Sequence, residues 1–216
     1  MKGEYRIANN IVGAVTYDLL DKCALFTNTR VKKTYPMSIN KFDNETFTTI
    51  KSLYECNVEI YKSFLNSKGN FAALSTSNYD EIEQEELLHY TVDFWDLFIL
   101  SFPEINKFIF EGGDTFRSDP HKGNLLFRPI TLYPLVHSIC YINVVSGCSF
   151  VEILKQFARM NRDILNELWS GVIWNPHTRK MVMSNEKITL KIFIYLYDSA
   201  LIGNIDEFKS WIQRFL

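Results

Sequence analysis

The chain has 216 residues, enough for one large domain or two small ones, and at that length roughly 70% of the unfolded surface can be buried. It is 47% hydrophobic and 15% aromatic, which excludes a disordered chain and supplies a real core. A formal net charge of -2 excludes a strongly basic nucleic-acid binder, though not a local basic face.

The expected architecture is mainly α: a compact multi-helix domain over 1–216 with one short β-hairpin near 172–183 and a weak internal boundary near 67–78. In chain order, Ile7, Ile11, Val15 and Leu19 recur every four residues and predict a weak helix over 5–20. Residues 28–44, with Arg30, Lys32, Lys33, Pro36 and Asn40, read as a loop, and Asn44 is a candidate cap for the next helix. That helix carries Phe47, Ile50, Tyr54, Val58, Tyr61 and Leu65, and Asn66, Ser67, Gly69 and Asn70 end it. A Ser/Thr/Asn stretch at 75–78 precedes an acidic first turn, Asp80, Glu81 and Glu83, which suits the positive end of a helix dipole. The stripe Leu88, Val92, Trp95, Ile99 takes this helix to Pro103.

Residues 111–129 form a long irregular loop. The apolar run to Val145 predicts a buried helix, with Pro134 in its first turn, where a missing N–H costs little. Ser149-x-x-Glu152 is a capping-box pattern opening a helix through Leu154, Phe157 and Arg159 and on to Ile164, Leu165 and Leu168. Asn175-Pro176-His177-Thr178 is turn chemistry inside the hairpin 171–183, and Trp169 just before it is expected to be buried. Glu186–Leu201 reads as a helix apolar nearly all round and therefore central. Asn204-x-x-Glu207 caps a short last helix with Phe208, Trp211 and Phe215.

Cys23, Cys56, Cys140 and Cys148 show no Cys-x-x-Cys spacing, so buried reduced thiols are expected rather than a zinc knuckle or a Cys140–Cys148 disulfide. MKGEYRIANN has no apolar signal region and no stretch reaches about 18 uninterrupted apolar residues, so a cytoplasmic protein without membrane contact is expected. No phosphate loop, GxGxxG, GxSxG, HExxH or EF-hand pattern occurs, and no catalytic residues, cofactor or metal are assigned. Asp114, Asp119 and His121 share the long loop as conceivable cation ligands, but scattered donors read better as a solvated loop. His137 and His89 read as hydrogen-bonded core histidines, and no motif supports Cys148 as a nucleophile beside His137.

Charge separates along the chain. Between 76 and 112 nine acids face only Lys107, and Glu81, Glu85 and Glu86 are the candidate partner-binding residues. Arg30, Lys32 and Lys33 form one basic group, and Arg117, Lys122 and Arg128 another. Lys155, Arg159, Arg162, Arg179 and Lys180 form a third. Lys155, Arg159 and Arg162 would lie one turn apart on a helix and could track a phosphate backbone, so this group is the candidate nucleic-acid surface.

Several stretches resemble the C-terminal region of DNA-sulfur-modification-associated, DndB-like proteins: FTTIKSLYECN at 47–57, DFW at 93–95 and LLFRPITLYPLVHSI at 125–139. NRDILNELWSGVIWNPHTRKMV at 161–182 and NEKITLKIFIYL at 185–196 complete the pattern, in which Trp169 and Trp174 precede the small hairpin. The resemblance covers about 45–216. The Asp-Gly-Gln-His-Arg motif that names the wider set is absent, so none of its motif residues carries over. The resemblance implies the C-terminal helical part of a larger protein, or a shortened relative, with a partner carrying the missing N-terminal domain. The setting it implies is bacterial DNA modification and phage defence. A non-catalytic, DNA-associated regulatory or defence module is the first functional expectation. A protein-interaction domain docking through the acidic helix without DNA contact is the second, and an unfamiliar enzyme using the 111–128 loop is the third.

Overall fold

The computed structural model describes residues 4–27, 29–36, 38–40, 43–69, 81–112, 123–182, 185–198, 201 and 210. Within them the chain is mainly α, with seven helices and two two-stranded pairs. Helix α1, Ile11–Lys22, starts where Asn10 accepts from Gly13 N at 2.9 Å. A Cβ on Gly13 would sit 2.0 Å from the Ala8 carbonyl oxygen, so only glycine lets the incoming chain pass this closely.

Strand β1, Val31–Lys32, pairs in parallel with β2, Thr48–Thr49. That pairing explains why Asn44 does not cap the next helix. Residues up to Thr49 are held extended, so helix α2 begins at Ile50, and Thr49 supplies the cap to Ser52 N. α2 runs to Ser67, with Gly69 left-handed just beyond. Its buried stripe is Ile50, Leu53, Cys56, Ile60, Tyr61 and Phe64, whereas Tyr54 and Val58 only flank the core.

Helix α3, Glu81–Ser101, buries Leu87, Leu88, Thr91, Phe94, Trp95 and Phe98. The seam is turned toward Phe94 and Phe98 relative to the expected Val92 and Ile99, which sit at its edge. Pro103 does not simply stop the helical region. It occupies the first turn of a further helix, α4, Pro103–Glu111, where its missing N–H has no intrahelical partner to lose.

Helix α5, Pro129–Ser146, starts at Pro129, which puts Pro134 inside the helix and not in its first turn. One ladder bond is therefore missing mid-helix. Gly147, at φ 69°, closes α5 with its N–H on the Asn143 carbonyl. α5 packs against α2, α7 and α6, and it, not α7, is the central element. Helix α7, Glu186–Tyr197, buries Thr189, Ile192, Phe193 and Ile194, holds Ile188, Tyr195 and Tyr197 half-buried against the core, and exposes Glu186, Lys187, Lys191 and Leu196; it ends four residues short of Leu201.

Helix α6, Phe150–Phe157, has the expected capping box: Ser149 Oγ accepts from Glu152 N, and the Glu152 carboxylate accepts from Ser149 N at 2.9 Å. It does not continue to Leu168. Leu125 N donates to the Arg162 carbonyl and Ile164 N to the Gly123 carbonyl, so residues 162–164 are drawn into an extended pairing that a helix cannot make. A string of side-chain turns follows, with Asn161, Asp163 and Asn166 each accepting a backbone N–H two residues on. Trp169 is fully buried, in a single 3-10 turn against Phe193, and its indole N–H meets no acceptor among the described residues. The hairpin is present as β3, Trp174–Asn175, and β4, Lys180–Met181, with Asn175 Oδ1 accepting from His177 N and Thr178 N across the expected turn. The expectations for 75–78 and Asp80, for Asp114, Arg117, Asp119, His121 and Lys122, and for the last helix at 204–215 lie outside the described residues.

Candidate functional site

On α3, the residues Ile82, Glu85, Glu86, His89, Asp93, Asp96 and Leu100 are all exposed, as is Glu81 at its first turn. Periodicity puts them there: the spacing of three and four that buries Leu88, Thr91 and Trp95 turns these positions to the opposite side. Of the three predicted partner residues, Glu81 and Glu85 meet no cation among the described residues, whereas Glu86 is paired with Lys68. His89 is not a core histidine. Its side chain is 81% exposed and lies 3.6 Å from Asp93, one turn on. Burial, and next the Asp93 charge, hold the Asp96 carboxyl above its usual range. Ile82 is 70% exposed, Leu100 73% and, on α4, Phe110 78%; among the described residues no large apolar side chain is more exposed.

The basic group is divided. Lys155 is exposed in the last turn of α6, Arg159 is exposed beyond its end, and Arg179 and Lys180 are exposed on the hairpin. Arg162 is not one turn further along the same helix. Its side chain is only 21% exposed, and its Nε donates to Glu104, itself 14% exposed. Its Nη1 donates to the carbonyls of Ala158 and Met160 at 2.7 and 2.9 Å. Asn124 Nδ2 completes the shell by donating to Glu104 Oε1 at 3.0 Å. Arg162 thus closes the C-terminal end of α6 and neutralises a carboxylate, and its charge is directed inward.

A polar cluster that sequence reasoning missed lies on the seam between α2 and α5. Glu59 is buried, and its Oε1 accepts from Lys62 Nζ at 2.8 Å and from the Tyr133 hydroxyl at 3.2 Å. His137 Nε2 lies 3.5 Å from Oε2. Burial pushes the Tyr133 hydroxyl up, with Glu59 adding to the effect. Burial also holds His137 below its ordinary value, against the opposing pull of Glu59. His137 is therefore half-buried beside a carboxylate rather than sealed in the core. The signal was present as Glu59-x-x-Lys62 and Tyr133-x-x-x-His137, two pairs each on one helix face, but only the packing of α5 on α2 joins them. The arrangement ties two helices together and gives their seam a group that titrates.

Cys23, Cys56 and Cys140 are buried and free, and Cys148 is partly exposed and also free. No cluster of three or more potential metal-ligating side chains occurs among the described residues. No helix among them is long and apolar enough to cross a membrane. In comparisons with known proteins, no family model, no curated protein and no solved structure matches this chain.

Proposed function

We propose that the protein is an interaction module that docks a partner protein through the solvent face of α3. One observation carries this reading: the most exposed large apolar side chains among the described residues, Ile82, Leu100 and Phe110, stand on the same two helices as the densest run of acids. Singly exposed apolar side chains are ordinary on a protein surface; what supports the reading is that these stand on helices that also expose the carboxylates Glu81, Glu85, Glu86, Asp93, Asp96 and Glu111. Affinity capture from cells that express the protein tests it. Wild type should retain a partner that the Ile82→Asp/Leu100→Asp variant loses, while Val144→Asp, on the exposed end of α5, leaves capture intact. Equal retention by all three, with circular dichroism showing each folded, overturns the reading.

A second reading is favoured by the exposure of Lys155, Arg159, Arg179 and Lys180, and by the resemblance to DndB-like proteins: contact with DNA phosphates, without base readout. If about three phosphates are neutralised, log K falls with log salt at a slope of about −2.7. Anisotropy with a duplex of arbitrary sequence, at two salt concentrations, decides it. Binding lost on Lys155→Ala/Arg159→Ala supports it, and no binding at low salt removes it.

A further inference from the structure

We propose that the space between the start of α4, the end of α6 and the 3-10 turn at Glu167–Trp169 binds a small uncharged polyol, whose terminal hydroxyl accepts the Trp169 indole N–H. The site shares no residue with the exposed face of α3, so it stands or falls apart from the docking reading. The bridge between Asn124 and Asp163 and the ion pair between Glu104 and Arg162 gather distant segments around this space. They wall an open cleft of about 320 Å³, bounded by Glu104, Asn124, Met160, Asn161, Arg162 and Asp163. A second, apolar space of about 10 Å³ lies among Phe102, Leu125, Leu126, Phe157, Trp169 and Phe193. Met160, Asn161 and Arg162 wall both, so the inner space forms the back of the cleft.

Each space restricts its occupant differently. The inner one has room for about one water-sized group. Trp169, one of its walls, is buried, and its indole N–H meets no acceptor among the described residues. A buried donor in that state favours any oxygen that reaches it. A charged oxygen is excluded, because apolar walls do not compensate for its lost hydration. A ring or a branched carbon is excluded by size, whereas a hydroxyl at the end of a chain fits. The cleft accommodates further hydroxyls. Arg162 directs Nε to Glu104 and Nη1 to the carbonyls of Ala158 and Met160, and its Nη2 donates to no described residue. Asn161 Oδ1 accepts from Asp163 N, and Asp163 Oδ1 accepts from Leu165 N, which leaves Asn161 Nδ2 and Asp163 Oδ2 for a ligand. Donors and an acceptor therefore line one cleft, and a hydroxyl serves both. The Glu104 charge is already matched by Arg162, so hydrogen bonds rather than a strong field select the ligand.

Glycerol, glycerate and 3-amino-1,2-propanediol share one short skeleton and carry no charge, a negative charge and a positive charge. Titrating each into the full chain, while following the indole N–H resonances of its four tryptophans by NMR, tests the site. Trp169→Phe assigns the Trp169 resonance. Glycerol should move that resonance saturably, with a Kd in about the millimolar range for so small a probe, and bind at least about fivefold tighter than either ion. Asn161→Asp keeps the oxygen that accepts from Asp163 N and removes the Nδ2 donor, so it should weaken glycerol at least about threefold while circular dichroism stays unchanged. Trp169→Phe removes the N–H and keeps an aromatic wall, and saturation transfer to glycerol should fall with it. A Trp169 resonance that does not move at about 500 mM glycerol means that water alone occupies the inner space, and overturns the proposal. Equal movement of all four indoles, which is a bulk-solvent effect, also overturns it. So does an ion that binds as tightly as glycerol, or binding untouched by Asn161→Asp.

Discussion

Arg159 and Arg162 stand three residues apart and have the same side chain, yet their surroundings set them to different work. Arg159 points to solvent, while Arg162 holds Glu104 and the carbonyls at the end of α6. Arg162→Ala should cost about 2–3 kcal/mol in urea unfolding, because it strips a mostly buried carboxylate of its charged donor. Arg159→Ala should stay within about 0.5 kcal/mol. Equal costs would remove the distinction drawn between them. The thiols divide in the same way. Burial pushes Cys23 up to about 11 and holds Cys56 and Cys140 well above the ordinary range, whereas Cys148 is partly exposed. A thiol reagent should therefore modify Cys148 alone in the native protein and all four cysteines after denaturation. Mass spectrometry of the labelled peptides reads this directly, and early labelling of Cys56 or Cys140 would contradict the packing of α2 on α5.

At the scale of elements, buried polar links fix which helix face meets which. Trp95 Nε1 on α3 donates to Asn57 Oδ1 on α2 at 3.1 Å, and Asn57 Nδ2 donates to Thr16 Oγ1 on α1 at 2.9 Å. Asn57→Ala strands the indole donor in a dry core and should cost about 2–3 kcal/mol, measured by chemical denaturation. Ser63 makes a similar link, donating to Asn143 on α5 at 2.6 Å and lying 3.0 Å from the Tyr90 hydroxyl on α3. The α2–α5 seam adds a pH dependence. Burial holds His137 below 6.5 in the folded state, so the unfolded chain takes up a proton first as pH falls. The contribution is thus absent well above pH 6.5, and stability is lost as pH falls through 6.5 toward the depressed folded value. His137→Gln should flatten that part of a melting-temperature profile, and an unchanged profile would show that His137 is not the group responsible.

Across the whole molecule, aromatic contacts run continuously from Phe47 and Phe26 through Trp95, Phe94 and Phe98 to Phe150 and Phe102. This chain of rings joins the turn at Ala24–Phe26 and the residue before β2 to α3 and α6, so the buried face of the acidic helix is packed on aromatic side chains along its length. Asp114, Asp119 and His121 show no metal-site spacing in the sequence, which predicts a fold that does not depend on an ion. Elemental analysis of the purified protein should find no stoichiometric zinc or manganese, and a chelator should leave the melting temperature unchanged. A metal lost on His121→Ala would instead promote the 111–128 loop to a functional site.

The mainly α class, the capping box at Ser149, the turn at Asn175 and the burial of Trp169 were all legible in the sequence. Each is decided by periodicity, by hydrogen bonds reaching two or three residues, or by the hydrophobicity of a single large side chain. The acidic and exposed face of α3 was legible for the same reason. Tertiary structure alone decided where α2 starts and α6 ends, because both limits are set by strand-like pairings with distant segments, Val31–Lys32 and residues 123–125. It also decided that Arg162 turns inward and that Glu59, Lys62, Tyr133 and His137 form one cluster. A charged residue's surroundings depend on what packs against it, and its partner here comes from another helix, 58 residues away for Arg162 and Glu104 and 74 for Glu59 and Tyr133. Local pattern carries no record of that distance, and helix packing supplies it.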